Sequence, residues 1–227
     1  RQRQMCIRDR FLSDKIPTFA SILSENGYAT SYVGKWHLAG DENKYTFGIK
    51  YNGGFQDNTY MMTGGHAPYF HIKNGKVVAG IGDKAAAKLP ANEIIHLTDF
   101  FTDKALEILE RDKNKPFCLM LSIPDPHTPD YARPPYHDMY KNMKPEMPFT
   151  MKPEYASQRP NWGMGGEKDK NEAKSFDANA LKQYFGMVKH IDDSVGRILK
   201  FLEDNNLLDN TIVVLSLIHI SEPTRPE

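Results

Sequence analysis

Two short stretches carry the residue types that could handle an oxyanion. One is Gly34-Lys35-Trp36-His37-Leu38, the other Pro124-Asp125-Pro126-His127-Thr128-Pro129. Lysine offers a fixed positive charge, and imidazole donates a hydrogen bond or passes a proton near neutral pH. Both stretches directly follow apolar runs that read as strands, Ala29 to Val33 and Pro116 to Ile123. In open α/β sheets the carboxyl ends of the strands share one edge, and the ligand site lies along it. Lys35, His37 and His127 are therefore the candidate catalytic residues, a set whose charge and proton chemistry suit an oxyanion.

The elements that must position them alternate in kind. Ile16-Pro17-Thr18 followed by FASILSENGY predicts a helix, with Pro17 in its first turn, Gly27 as its stop and Phe19, Ile22 and Leu23 as its buried stripe. Leu97 to Arg111 is an amphipathic helix with Thr98 as the expected N-cap, and Ala178 to Asp204 is the longest helix. PFCLMLSI has the unbroken apolar character of a central strand covered on both faces, and Thr211 to Val214 begins another buried strand. This rhythm predicts an α/β fold, a mainly parallel sheet with helices on both faces. Between Asp41 and Leu89 we expect short strands and loops, with Asn74-Gly75 as the hairpin turn joining Tyr69–Lys73 to Lys76–Ala79. Residues 124 to 177, rich in Pro, Lys and Met, read as surface loops beside the active face.

The 227 residues, 40% hydrophobic and 26% charged, suffice for one core and part of a second lobe. Net charge is zero and no basic run forms a nucleic-acid footprint. No apolar run reaches the length of an integral membrane span. Cys6 and Cys118 give neither a disulfide framework nor zinc-ligand spacing, and Cys118 reads as a core thiol. His66 and His71 have neither helical nor alternating ligand spacing and read as part of a substrate-lobe loop. His190, Asp192 and Asp193 fall on a helix where consecutive aspartates point apart, which favours capping or solvation over a metal site. The glycines at 53–54 and in GMGG at 163–166 read as flexible loops, unlike a phosphate-binding GxxxxGK[S/T] loop.

The two ends read as foreign sequence. Residues 1–10, RQRQMCIRDR, and 215–227, beginning LSLIHISEPTR, resemble the translated halves of a transposase-type sequencing adapter. DNA able to encode Met5 to Asp9 and the start of Arg10 is the reverse complement of DNA able to encode Leu215 to Ile220 and the start of Ser221. Residues 11–214 remain as the segment to be read for fold and function.

Three ordered segments of that stretch resemble the sulfatase family of the alkaline-phosphatase-like superfamily. They are IPTFASILSENGYATSYVGKWHLAG, PFCLMLSIPDPHTP and YFGMVKHIDDSVGRILKFLEDNNLLDNTIVV. The resemblance implies that Lys35 and His37 contact the sulfate and the nucleophile, and that His127 binds sulfate and helps protonate the leaving alcohol. It implies a formylglycine nucleophile made by a maturation enzyme from Cys or Ser in a Cys/Ser-x-Pro-x-Arg motif, and a divalent cation, usually Ca²⁺, that fixes the sulfate. The substrate would be a sulfated small molecule or glycan, and the protein periplasmic or secreted.

Residues 11–214 lack the nucleophile motif, the early Asp-Asp metal pair, the late Asp-Asn/His-Gly metal loop and a later sulfate-binding lysine. The expectation is a partial catalytic domain, inactive by itself. Ser221-Glu222-Pro223-Thr224-Arg225 fits Ser-x-Pro-x-Arg, yet it lies after the third expected strand and inside the adapter-like tail, so Ser221 is assigned no role. A phosphate- or phosphonate-ester hydrolase of the same superfamily would share the Lys and His residues, and a non-catalytic anion- or carbohydrate-binding remnant is the alternative from another class.

Overall fold

A computed structural model describes residues 12–13, 15–38, 45–50, 52–65, 67–147, 152 and 176–216. Strand β1 (Ala29–Trp36) forms the centre of a parallel three-stranded sheet. It lies between β2 (Asp57–Thr63) and the sixth strand in chain order, β6 (Phe117–Ser122). Being central, β1 is covered on both faces, and its successive side chains divide between them. Val33 and the neighbouring Met62 join Phe70, Leu97, Phe100, Phe101 and Ile108 in one core. Tyr32 and Met61, one residue earlier in each strand, join Ala20, Ile49 and Phe55 in a second core on the opposite face. Helix α1 (Phe19–Glu25) covers that second face through Ala20, and α3 (Leu97–Asp112) covers the first. Of the stripe expected to be buried on α1, Phe19 and Ile22 are exposed and Leu23 is half-buried. The sheet therefore has helices on both sides, as the alternation of elements predicts.

A second sheet, antiparallel, has β3 (Tyr69–Lys73) between β4 (Lys76–Ile81) and β5 (Ile94–His96), with the short α2 (Asp83–Ala86) between β4 and β5. Asn74 and Gly75, at φ 50° and 72°, make the tight β3–β4 turn expected of an Asn-Gly pair. Phe70 of β3 is fully buried against α3 and ties this sheet to the first core. Helix α5 (Ala178–Asp204) packs on α3 and on α4 (Tyr136–Met139), the latter through Ala132, Tyr136 and Met187.

Several sequence expectations are corrected. Helix α1 begins after Pro17, because Thr18 is the N-cap: its hydroxyl accepts from the Ser21 amide at 3.1 Å while the Ser21 hydroxyl accepts from the Thr18 amide at 3.0 Å. The cap of α3 is His96 and not Thr98, whose amide donates to His96 Nδ1 at 3.3 Å. Strand β1 runs beyond Val33 to Trp36, which puts Lys35 inside the strand opposite Met62. Residues 57–63 form a parallel partner for β1. Thr211 to Val214 enters no sheet among the described residues, and Ile212 is 93% exposed. Its β-branched residues favour a strand only where neighbouring strands supply packing and hydrogen bonds. Residues 1–10 and 217–227, including Ser221, lie outside the described residues, as do His66 and the GMGG stretch.

Candidate active site

The carboxyl ends of β1 and β6 lie side by side, with Gly34 paired to Ser122. Lys35 follows at once and is 7% exposed. Its backbone is fixed from the far face of the strand, where the buried Tyr32 hydroxyl donates to the Lys35 carbonyl at 2.6 Å. His37, just past β1, and His127, in the loop after β6, are exposed at the same edge. Surrounding protein atoms draw water from the His37 imidazole and lower its pKa, and the nearby charges of Lys35 and His127 lower it further. The three candidate residues thus share one electrostatic field. His37 is held neutral at physiological pH, fit for hydrogen bonding, and the fixed charge is that of Lys35. The His127 Nδ1 lies 2.7 Å from the Thr128 carbonyl, which accepts only, so Nδ1 carries the proton there and proton exchange falls to Nε2.

Behind the His127 loop lies a hydrogen-bonded network that sequence patterns did not single out. Asp99, in the first turn of α3, accepts from the Arg133 Nη2 at 2.7 Å and from Arg133 Nε, and from His190 Nε2 at 2.9 Å. These donors hold its carboxyl well below the usual carboxylate range. His190 is buried, stacked on Tyr136 with ring centroids 4.5 Å apart, and the Arg133 guanidinium lies over the other partner of that stack, 5.0 Å from the Tyr136 centroid. The Thr98 hydroxyl donates to Asp125, two residues before His127. Asp192 and Asp193 pair with Lys189 on the helix surface, and Asp193 also accepts from the Tyr136 hydroxyl at the border of this network. His71 pairs with Glu93 at 3.1 Å. Cys118, expected as a core thiol, is only half-buried and lies outside the core clusters. Burial still pushes its thiol up, which disfavours a nucleophilic thiolate.

His96 borders the same network, 4.9 Å from His190 between ring centroids, and burial pushes its pKa down to about 3. The unfolded chain therefore takes up this proton first on acidification. Stability conferred by neutral His96 is complete above about pH 6.5 and falls by about 1.4 kcal/mol per pH unit as pH drops toward 3. Urea midpoints measured from pH 7 to pH 4 are expected to fall more steeply for the parent chain than for His96→Gln. Parallel lines would refute the assignment.

A cleft of ≈ 380 Å³ opens at the opposite, amino edge of the strands, lined by Ala29, Ser31, Asp57 and Arg111. Arg111 is engaged there by Asp57 and Asp112, and Lys115, the other cation of the lining, pairs with Asp112 at 3.0 Å, so both positive charges of this cleft already have carboxylate partners. The chemistry gathers instead at the Lys35 edge.

The chain is similar to an arylsulfatase of Clostridium perfringens, 29% identical over 227 residues, covering 89% of this chain and 46% of that protein. It is also similar to the multifunctional alkaline phosphatase superfamily protein PehA of Trinickia caryophylli, 30% identical over 141 residues, 53% of this chain and 26% of that one. Among solved structures, BT4656 in complex with its substrate D-glucosamine-2-N,6-O-disulfate shares the fold at a TM-score of 0.55 and 22% identity, covering 88% of this chain and 49% of that one. This chain spans less than half the length of each of these proteins. The sulfatase family model matches residues 5–216, which include both strand ends and all three candidate residues, and the chain belongs to the sulfatase family.

Proposed function

We propose that this segment is part of the catalytic domain of an enzyme that hydrolyses sulfate esters of a carbohydrate or aryl alcohol. The carrying observation is the meeting of a buried lysine with two histidines at the carboxyl edge of one parallel sheet. Lys35 supplies the charge that holds a sulfate oxygen. Its burial strengthens that attraction, because little water screens it. His37, neutral, donates to or accepts from the nucleophile or the sulfate. His127 binds a sulfate oxygen and delivers a proton to the leaving alcohol.

Family membership implies a divalent metal. Among the described residues, the one cluster of three ligand-type groups is His96, Asp99 and His190. It does not fit a hard cation: two of its donors are nitrogens, and Arg133 occupies both oxygens of Asp99. We propose Ca²⁺ as the cation, held by residues of the whole protein outside this cluster. The nucleophile proposed for the whole protein is a formylglycine produced by a maturation enzyme, and its location is the periplasm or the exterior. Both rest on the family resemblance, as does a sulfated small molecule or glycan as substrate; the substrate of BT4656 is D-glucosamine-2-N,6-O-disulfate.

The multifunctional relative in Trinickia caryophylli favours a second reading, a phosphate- or phosphonate-ester hydrolase using the same three residues. Turnover by the whole enzyme of 4-nitrophenyl sulfate, a 6-O-sulfated sugar and phenyl phosphonate esters separates the two. The sulfate esters are expected to be hydrolysed with the higher kcat/KM. Faster phosphonate turnover would transfer the assignment to the second reading.

A further inference from the structure

We infer that Asp125 and Thr98 are positioning residues that anchor the His127 loop to the start of α3. His127 lies on the loop after β6, and its amide donates to the Pro124 carbonyl at 3.1 Å, so residues 124–127 turn as one tight unit. Asp125 lies inside that turn. Its carboxyl accepts the hydroxyl proton of Thr98, a residue with no exposed surface, in the first turn of a 16-residue helix packed on both β1 and β6. A carboxylate beside the first turn of a helix also meets the positive end of the helix dipole.

The helix end is in turn held from three directions. The Thr98 amide donates to His96 Nδ1, the Thr102 hydroxyl donates to the Thr98 carbonyl at 2.7 Å, and Asp99 is clasped by Arg133 and His190. A hydroxyl fixed in this way is a rigid post, and the Asp125 carboxyl ties the loop to it by one short directional bond. His127 is itself exposed, so burial of its imidazole does little to place the loop, and the Asp125–Thr98 bond is a tie close to it in the chain. The half-buried Asp125 carboxyl loses water to the surrounding protein, which pushes its pKa up.

The inference rests on the reading above only for what His127 does chemically. The anchor is tested without that reading, through the charge of His127 felt by His37. In the parent chain, His127→Gln is expected to raise the His37 pKa, followed by NMR titration of its ring protons. In a Thr98→Val background, which keeps the volume and deletes the hydroxyl, the same His127→Gln change is expected to produce little or no shift. Thr98→Ser, which keeps the hydroxyl, is expected to restore it. An undiminished shift in Thr98→Val overturns the anchor.

A second measurement uses the whole enzyme and separates positioning from general destabilisation. Asp125→Ala is expected to lower kcat for an alkyl sulfate about a hundredfold, the scale of a lost general acid. It should lower kcat for 4-nitrophenyl sulfate far less, since that leaving oxygen needs little proton assistance, with KM nearly unchanged for both. Equal losses on the two esters overturn the positioning role. A parent enzyme without sulfatase activity overturns the functional reading and leaves the anchor to be decided by the titration.

Discussion

Replacing Lys35 by methionine in the whole enzyme is expected to lower kcat/KM for an aryl sulfate about a thousandfold while leaving the fold in place. The magnitude is that of removing a pre-organised charge from the point where negative charge gathers in the transition state. Lys35 is suited to that effect because its side chain is 7% exposed, so solvent ions and water screen it poorly. Its position is also set by the chain around it: the Lys35 backbone lies in the ladder with β2, and its carbonyl is held by Tyr32. Methionine keeps the apolar stem and a similar volume, so the packing beneath the site should survive. A second signature separates charge loss from distortion. With the lysine charge gone, the His37 pKa is expected to rise, because that charge is one of the causes of its depression. Steady-state kinetics, circular dichroism and a His37 titration test the three parts. A variant with near-parental kcat/KM would remove Lys35 from the site.

The two stretches that carry this chemistry were legible because each combines a strand signal with reactive residues at its carboxyl end. PFCLMLSI reads as a strand and forms one, and its parallel pairing places its end beside that of β1. Among the described residues, however, it stands at the edge of the sheet with Met120 exposed, and not at the centre. The hairpin at Asn74-Gly75 was legible for another reason: few pairs tolerate two consecutive positive φ values. Strand β2 was less so. Asp-Asn-Thr-Tyr-Met-Met-Thr starts polar and ends apolar, and only contact with β1 on one side and two cores above and below reveals Met61 and Met62 as opposite-facing core residues. Thr211 to Val214 erred in the other direction. Strong local β-propensity was present, and no ladder among the described residues realises it.

The support behind the site was the least legible part. Asp99 meets Arg133 from 34 positions away and His190 from 91, and Thr98 meets Asp125 across 27. No periodicity links such residues. Asp99 alone reads as an ordinary acidic residue in a helix's first turn, where the dipole welcomes it. The clue that was available is Asp125 itself, a carboxyl set between two prolines two residues from a candidate acid.

Gly34→Ala is expected to be among the most destabilising single changes in the chain, by about 3–5 kcal/mol, a large share of the stability of an ordinary domain. The cause is the approach of two backbones. A Cβ on Gly34 would stand 2.0 Å from the Ser122 carbonyl oxygen and 2.7 Å from its carbon, and backbone atoms cannot rotate aside as a side chain can. Gly34 also has φ 109°, outside the regions that L-residues occupy at ease. Gly27 supplies the control, since its φ is 84° but a Cβ there meets nothing within 4 Å. Gly27→Ala should carry only the backbone penalty of about 1–2 kcal/mol, and the difference between the two variants isolates the collision with β6. Urea denaturation of both variants beside the parent measures it, and equal losses would show that the collision is relieved at no cost. The consequence reaches the chemistry directly. Gly34 and Ser122 are the last paired residues before Lys35 on one strand and the His127 loop on the other. Any shift that accommodates the methyl group pushes β1 and β6 apart at the edge where the lysine and the imidazole must face the same anion. A folded Gly34→Ala enzyme recovered at low temperature is therefore expected to lose activity well beyond its loss of stability.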